Sequence, residues 1–175
     1  MKKILLGVTG SIAAYKAAEL ARLFVKHGHD VKVVMTEAAT KFVAPLTFRT
    51  LSRNKVYIDQ FEEVADWKPE HIALAEDCDL AIVAPATANT IAKLRAGIAD
   101  NMLTSILLAT KAQIAVAPAM NEGMWANEAT QDNIATLRRR GVFIIPPEEG
   151  LLACGSSGAG RMAEPQRIFD ELCGK

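Results

Sequence analysis

The sequence predicts a doubly wound α/β fold: a mostly parallel sheet with helices on both faces, a three-layer flavodoxin- or Rossmann-like architecture in which residues 1–175 form one domain. Three observations predict it. Short runs of Val, Ile, Leu and Ala recur along the whole chain, apolar at successive positions as in strands buried on both faces. Helical patterns stopped by glycine separate several of them. Strand, helix, strand in repetition brings consecutive strands side by side through right-handed crossovers.

Residues 2–8 form the first expected strand. Residues 11–27 follow as a helix, with Ile12, Tyr15, Leu20, Leu23 and Phe24 among many alanines that suit close packing on a sheet; Gly28 stops it. Residues 31–35, 80–84, 114–117 and 142–145 are the next strands, and 131–140, closed by Gly141, is a second clear helix. After the last strand, Gly150, Gly155, Gly158 and Gly160 mark residues 148–162 as a mobile loop.

Composition narrows the function. Lys plus Arg and Asp plus Glu are 20 each, so no net field points to nucleic acid or a membrane surface. Aromatic residues are only 6% of the chain, too few for a base-stacking platform. The apolar start at Ile4-Leu5-Leu6 breaks at Gly7, too soon for a signal peptide, and no run reaches membrane-spanning length. Cys78, Cys154 and Cys173 are odd in number and widely spaced, which argues against disulfides and a metal site and for a reducing cytoplasm.

In doubly wound folds ligands bind beyond the C-terminal ends of the strands. Here those ends carry small and polar residues: Thr9-Gly10-Ser11, Thr36-Glu37, Pro85-Ala86-Thr87-Ala88-Asn89-Thr90 and Pro118-Ala119-Met120-Asn121, then the glycine-rich loop. Gly10-Ser11, where a strand turns into a helix, presents backbone N–H groups suited to a phosphate, although Ser11 could simply cap the helix. The three-glycine dinucleotide spacing is missing, and no Walker-type lysine follows. Thr36, Thr87 and Asn121 also have helix-capping readings. Several such loops at one sheet edge favour a mononucleotide with a ring system, such as FMN.

Four segments carry a family resemblance: Gly10-Ser11-Ile12-Ala13-Ala14-Tyr15-Lys16, Pro85 to Thr90, Pro118-Ala119-Met120-Asn121-Glu122-Gly123-Met124-Trp125, and Ala153-Cys154-Gly155-Ser156-Ser157-Gly158-Ala159-Gly160-Arg161-Met162. In this order they resemble the successive signatures of the homo-oligomeric flavin-containing cysteine decarboxylases. The resemblance implies FMN held by Gly10, Ser11, Ile12, Thr36, Thr87, Ala88, Asn89 and Ala119. It also implies a homo-oligomer, a trimer or a dodecamer, with each flavin near a subunit boundary. The implied reaction is decarboxylation of 4'-phosphopantothenoylcysteine in coenzyme A biosynthesis, by a domain that many bacteria fuse to a synthetase.

The chemistry explains why a flavin is needed. Loss of CO2 from an N-acylated cysteine leaves a carbanion with nothing to delocalise it. Oxidation of CH2–SH to a thioaldehyde places the carboxylate beta to a C=S bond that accepts its electrons. The resulting ene-thiol must then regain two electrons and two protons, one of the protons coming from the protein. By resemblance His71 serves the oxidation in an acid–base role, Asn121 binds the substrate carboxylate and Cys154 donates the proton to the ene-thiol. A neutral amide holds the carboxylate without stabilising it as an Arg would. His27 and His29, at a helix end, are expected to be solvated, and Cys78 and Cys173 structural.

One segment departs from the family pattern: Glu76-Asp77-Cys78-Asp79 stands where relatives often carry a basic residue and a Trp, more acidic than an anionic substrate favours. Three other readings share parts of the pattern. An oxidative decarboxylase of peptide C-terminal cysteines would not need Cys154. A flavin prenyltransferase would lack the Pro-Ala-Met-Asn and Cys-Gly segments. A non-catalytic flavin-binding regulator would carry acidic or disordered extensions.

Overall fold

Side chains alternate across the central strands and so divide the core in two. In the computed structural model, which describes residues 1–61, 67–151, 155 and 157–174, Ile4, Leu6 and Val8 of strand β1 (Lys3–Val8) face one helical layer and Leu5 faces the other. Strand β2 (Asp30–Met35) sends Val31, Val33 and Met35 to the first layer and Val34 to the second. Helix α1 (Ala14–Lys26), α2 (Pro45–Ser52, through Phe48) and α8 (Pro165–Cys173) pack on the first face. Helices α3 (Glu70–Asp77), α4 (Ala88–Ala96), α5 (Met102–Ala109) and α7 (Glu128–Arg139) pack on the second. The three-layer α/β fold predicted from the sequence is therefore the observed one.

With β3 (Val56–Tyr57), β4 (Leu80–Ala86), β5 (Gln113–Pro118) and β6 (Phe143–Ile144), the sheet runs β3-β2-β1-β4-β5-β6, every neighbouring pair parallel. This is the Rossmann order; without the two-residue β3 it is the flavodoxin order. The direction of strand order reverses between β1 and β4, and the loops leaving these two strands diverge to opposite faces. Gly7 permits the close approach of α5 on the second face, since a Cβ there would lie 2.6 Å from Leu103 Cδ1.

All five expected strands are present. The structure corrects other boundaries. Helix α1 begins at Ala14, because Ser11-Ile12-Ala13 forms a separate turn. The stretch expected to be a mobile loop instead contains an antiparallel hairpin, β7 (Glu148–Leu151) with β8 (Ser157–Arg161). Its alternating glycines give no apolar period to read, and one of them, Gly160, lies against the Met120 backbone. A five-residue helix, α6 (Glu122–Ala126), lies between β5 and α7.

The N-terminal edge of the sheet explains the acidic departure. The Asp77 carboxylate bridges Lys3 at 2.5 Å and Lys32 at 2.7 Å, and Asp79 accepts a hydrogen bond from the Lys3 N–H at 2.8 Å. Glu76 pairs with Lys68. Asp77 and Asp79 thus tie α3 and β4 to the start of β1, at the edge opposite the strand C-termini. Hydrogen bonds from Lys3, then Lys32, hold the Asp77 carboxyl below the usual carboxylate range. A lowered folded-state pKa contributes stability above the unfolded pKa, and that contribution is lost as pH falls through the folded value. Asp77→Asn should therefore lower stability by about 1 kcal/mol at neutral pH, the scale of two partly exposed ion pairs. In urea melts the gap from wild type should close as pH falls below the carboxylate range.

His27 and His29 lie at the same N-terminal edge. His27 is exposed, its ring 4.3 Å from that of Phe169. His29 is half-buried against Phe24, so burial lowers its pKa; it is less solvated than its sequence position suggests. Cys78 reaches the Ala75 carbonyl and the Thr110 hydroxyl, and Cys173 packs on the core, its thiol pKa pushed up by burial.

Candidate functional site

The switch point between β1 and β4 is fastened by a residue that the sequence reading used only as part of a turn. Thr9 is buried, and its hydroxyl donates to the Pro85 carbonyl at 2.7 Å and accepts from the Thr87 N–H at 3.1 Å. The one side chain thus sets the distance between the two loops. A buried hydroxyl directly after a strand was the available signal, but only the neighbouring strand shows what it binds.

Around Thr9 the predicted cofactor residues assemble. Gly10 turns against Ala38 so closely that a Cβ would lie 2.5 Å from the Ala38 Cβ. Ser11 Oγ accepts from the Ala13 N–H at 3.3 Å, and the Ser11 carbonyl accepts from Ala14. The capping reading of Ser11 is replaced by this tighter turn ahead of α1. Thr36 follows β2 and accepts from the Ala39 N–H. Thr87 caps α4, accepting from the Thr90 N–H at 3.4 Å, while Ala88 and Asn89 open that helix, where N–H groups have no intrahelical partner. A cavity of about 740 Å³ is lined by Gly10, Thr36, Thr87, Ala88 and Asn89, with Thr9 and Met102. A second, about 600 Å³, is lined by Ser11, Ile12, Ala119, Asn121 and Gly160. All eight predicted cofactor residues line one or the other, and the consecutive Gly10 and Ser11 join the two.

These residues fit a flavin mononucleotide. Lys93, the lysine on the first cavity, is paired with Asp100 at 2.5 Å. A phosphate would therefore rest chiefly on backbone N–H groups, those of the Gly10-Ser11 turn first among them, as small-residue strand-end loops allow. A wider groove of about 820 Å³ runs along α2, lined by Arg49, Arg53 and Lys55; it takes in none of the predicted site residues.

Asn121 stands three residues past the end of β5 at Pro118. Its Oδ1 accepts from the Gly123 N–H at 2.8 Å, so the capping role foreseen for it is real. Strand β8 lies directly on this loop: Met120 N–H donates to the Gly160 carbonyl at 3.0 Å. A Cβ on Gly160 would come within 2.2 Å of the Met120 carbonyl oxygen, and one on Gly158 within 1.9 Å of Glu122 Oε2. Gly160 is thus required by contact with backbone and by its φ of 147°, whereas at Gly158 the Glu122 side chain would have to move. Cys154 lies in sequence between β7 and β8, outside the described residues.

His71 occupies the first turn of α3. Because α3 runs back toward β4 across a two-residue connection, its first turn is at the C-terminal edge of the sheet, the same edge as the cavities. It lines neither of the two cavities, however, so a single chain does not bring His71 and Asn121 into one site. Its Nδ1 is buried with no hydrogen-bond partner among the described residues. Among these residues no cluster of His, Cys, Asp and Glu could hold a metal ion, and no helix is long and apolar enough to cross a membrane.

Comparison with known proteins agrees with this geometry. A family model described as Flavoprotein matches residues 1–175. The chain is 47% identical over 173 residues to a Streptococcus mutans protein named "Probable phosphopantothenoylcysteine decarboxylase", covering 98% of this chain and 97% of that protein. It is 49% identical over 172 residues to the "Coenzyme A biosynthesis bifunctional protein CoaBC" of Vibrio parahaemolyticus; 98% of the chain aligns, but it spans only 43% of that relative's length. Among solved structures, a PPC decarboxylase mutant complexed with pantothenoylaminoethenethiol superposes with a TM-score of 0.87 at 32% identity, covering 98% of this chain and 96% of that one. The FMN-dependent cysteine decarboxylase SpaF superposes with a TM-score of 0.85 at 30% identity, covering 98% and 94%.

Proposed function

The chain belongs to the Flavoprotein family, and on that premise we propose that it is an FMN-dependent decarboxylase that converts 4'-phosphopantothenoylcysteine to 4'-phosphopantetheine and CO2. The observation that carries this reading is the convergence of Gly10, Thr36, Thr87, Ala88 and Asn89 on one cavity, continued by Ser11, Ile12 and Ala119 on the next. When bound, FMN supplies the two-electron oxidation of the substrate thiol and the later return of those electrons. The remaining work falls to the chain's own residues. Asn121, with its oxygen held by Gly123, offers its NH2 edge to the substrate carboxylate. His71 accepts a proton during thiol oxidation, and Cys154 gives one to the ene-thiol.

The same reading supplies the setting. A trimer, alone or as the unit of a dodecamer, would cover the exposed apolar side chains beside the cavities, Ile12 and Tyr15 at the second and Met124 at the first. It would also bring His71 of one copy toward the site of another. The balanced charge and small-molecule site fit a cytoplasmic enzyme with no nucleic-acid or membrane partner.

The direct test is reconstitution. The protein should carry one FMN per chain, read from flavin absorbance against protein. A preparation that takes up no FMN would sink the reading. Ser11→Asp should weaken FMN binding by about tenfold or more, through repulsion between its carboxylate and a phosphate held at the same turn. Unchanged affinity would place the phosphate elsewhere.

A further inference from the structure

We propose that Lys16 is a positioning residue that fixes the Asn121 loop against the cofactor turn, an inference that rests on the decarboxylase reading above. Lys16 sits in the first turn of α1 and is only 6% exposed. Its ammonium donates to the Met162 carbonyl at 3.1 Å and to Glu164 Oε1 at 2.9 Å. Met162 directly follows β8, and within β8 the Gly160 carbonyl accepts from the Met120 N–H, one residue from Asn121. Lys16, β8 and the Asn121 loop form three walls of the second cavity. One set of hydrogen bonds therefore runs from the helix that directly follows the Ser11-Ile12 turn, through β8, to the loop that carries Asn121.

The choice of lysine follows from what packing alone could do. Burying an ammonium is costly unless it is well paired, and an apolar residue of the same length would fill the space at least as well. An apolar residue would grip neither the Met162 carbonyl nor Glu164. Met162 and Ala163 bury their side chains in the first core layer and so hold the end of β8 by packing, but at Met120 itself the strand presents Gly160, which offers no side chain to hold the contact. Glu164 is half-exposed and also pairs with Arg161 at 3.0 Å, so removing the ammonium does not leave it buried and alone.

Lys16→Met in the FMN-loaded protein removes the charge and keeps the length. Two readouts apply: hydrogen exchange of the Met120 amide, which Gly160 protects, and steady-state kinetics with 4'-phosphopantothenoylcysteine. Met120 should exchange about tenfold faster or more, while Leu5 and Leu6 in the central strand keep their protection. KM should rise by about tenfold or more with kcat within about threefold, because what is lost is the placement of the carboxylate-binding group. Glu164→Gln leaves the ammonium on Met162, so it should move both readouts the same way by a smaller factor. It also serves as the test if Lys16→Met does not fold. Either readout staying at its wild-type value in both variants overturns the assignment. A wild type that releases no CO2 from this substrate overturns the decarboxylase reading instead, and Met120 exchange then decides the role of Lys16.

Discussion

His71→Asn should bind FMN at wild-type occupancy and lose turnover by about 10²- to 10⁴-fold, the usual contribution of a positioned acid–base group. His71 lines neither cavity that gathers the cofactor residues, so replacing it should leave the flavin site intact. Its first-turn position on α3 makes the substitution mild for the fold, since Asn is well tolerated near a helix start. What Asn cannot do is take up and release a proton near neutral pH. Mixing the variant anaerobically with substrate should leave the flavin yellow over the time in which wild type bleaches. Bleaching at the wild-type rate would remove His71 from the oxidation step.

Cys154→Ser should divide the reaction after CO2 release. The oxidation and loss of CO2 depend on His71 and Asn121 in this reading, so both should proceed. Return of the electrons to the ene-thiol also needs a proton, and a serine hydroxyl is a far weaker acid than a thiol. The variant should accumulate reduced flavin and release a product lighter than the aminoethanethiol by the two hydrogens not returned. Single-turnover mass spectrometry reads that difference. Fully reduced product at the wild-type rate would make Cys154 a spectator. If the wild type itself released the lighter product, oxidative decarboxylation of a peptide C-terminal cysteine would become the better reading.

Much of the fold was legible because its signals are local. The longer strands β1, β2, β4 and β5 show as apolar runs because both their faces are largely buried, and Gly28 and Gly141 mark helix ends because they take positive φ, 80° and 86°. The eight proposed cofactor residues stood out because small and capping residues follow the strands, and all eight line one of the two cavities at that edge. The hairpin β7–β8 was not, because Gly158 and Gly160 are chosen for contact with Glu122 and Met120, residues far away in sequence. Nor was β3, whose two residues are too few to show a period.

The acidic run at 76–79 shows the limit most clearly. In sequence it stands beside the His71 segment and reads as a disturbance of an anionic site. In the structure α3 carries it about 1.5 Å per residue away from His71 to the opposite edge of the sheet, where Asp77 meets Lys3 and Lys32. By itself the sequence determined the layered fold and pointed to the edge where its small and polar strand-end residues gather, since periodicity and strand-end chemistry are properties of neighbouring residues. Only the tertiary structure decided that Thr9 couples two loops, that Lys16 holds β8 to the Asn121 loop, and that His71 stands apart from both cavities. These are contacts between elements distant in the chain, and no local pattern encodes the distance between them.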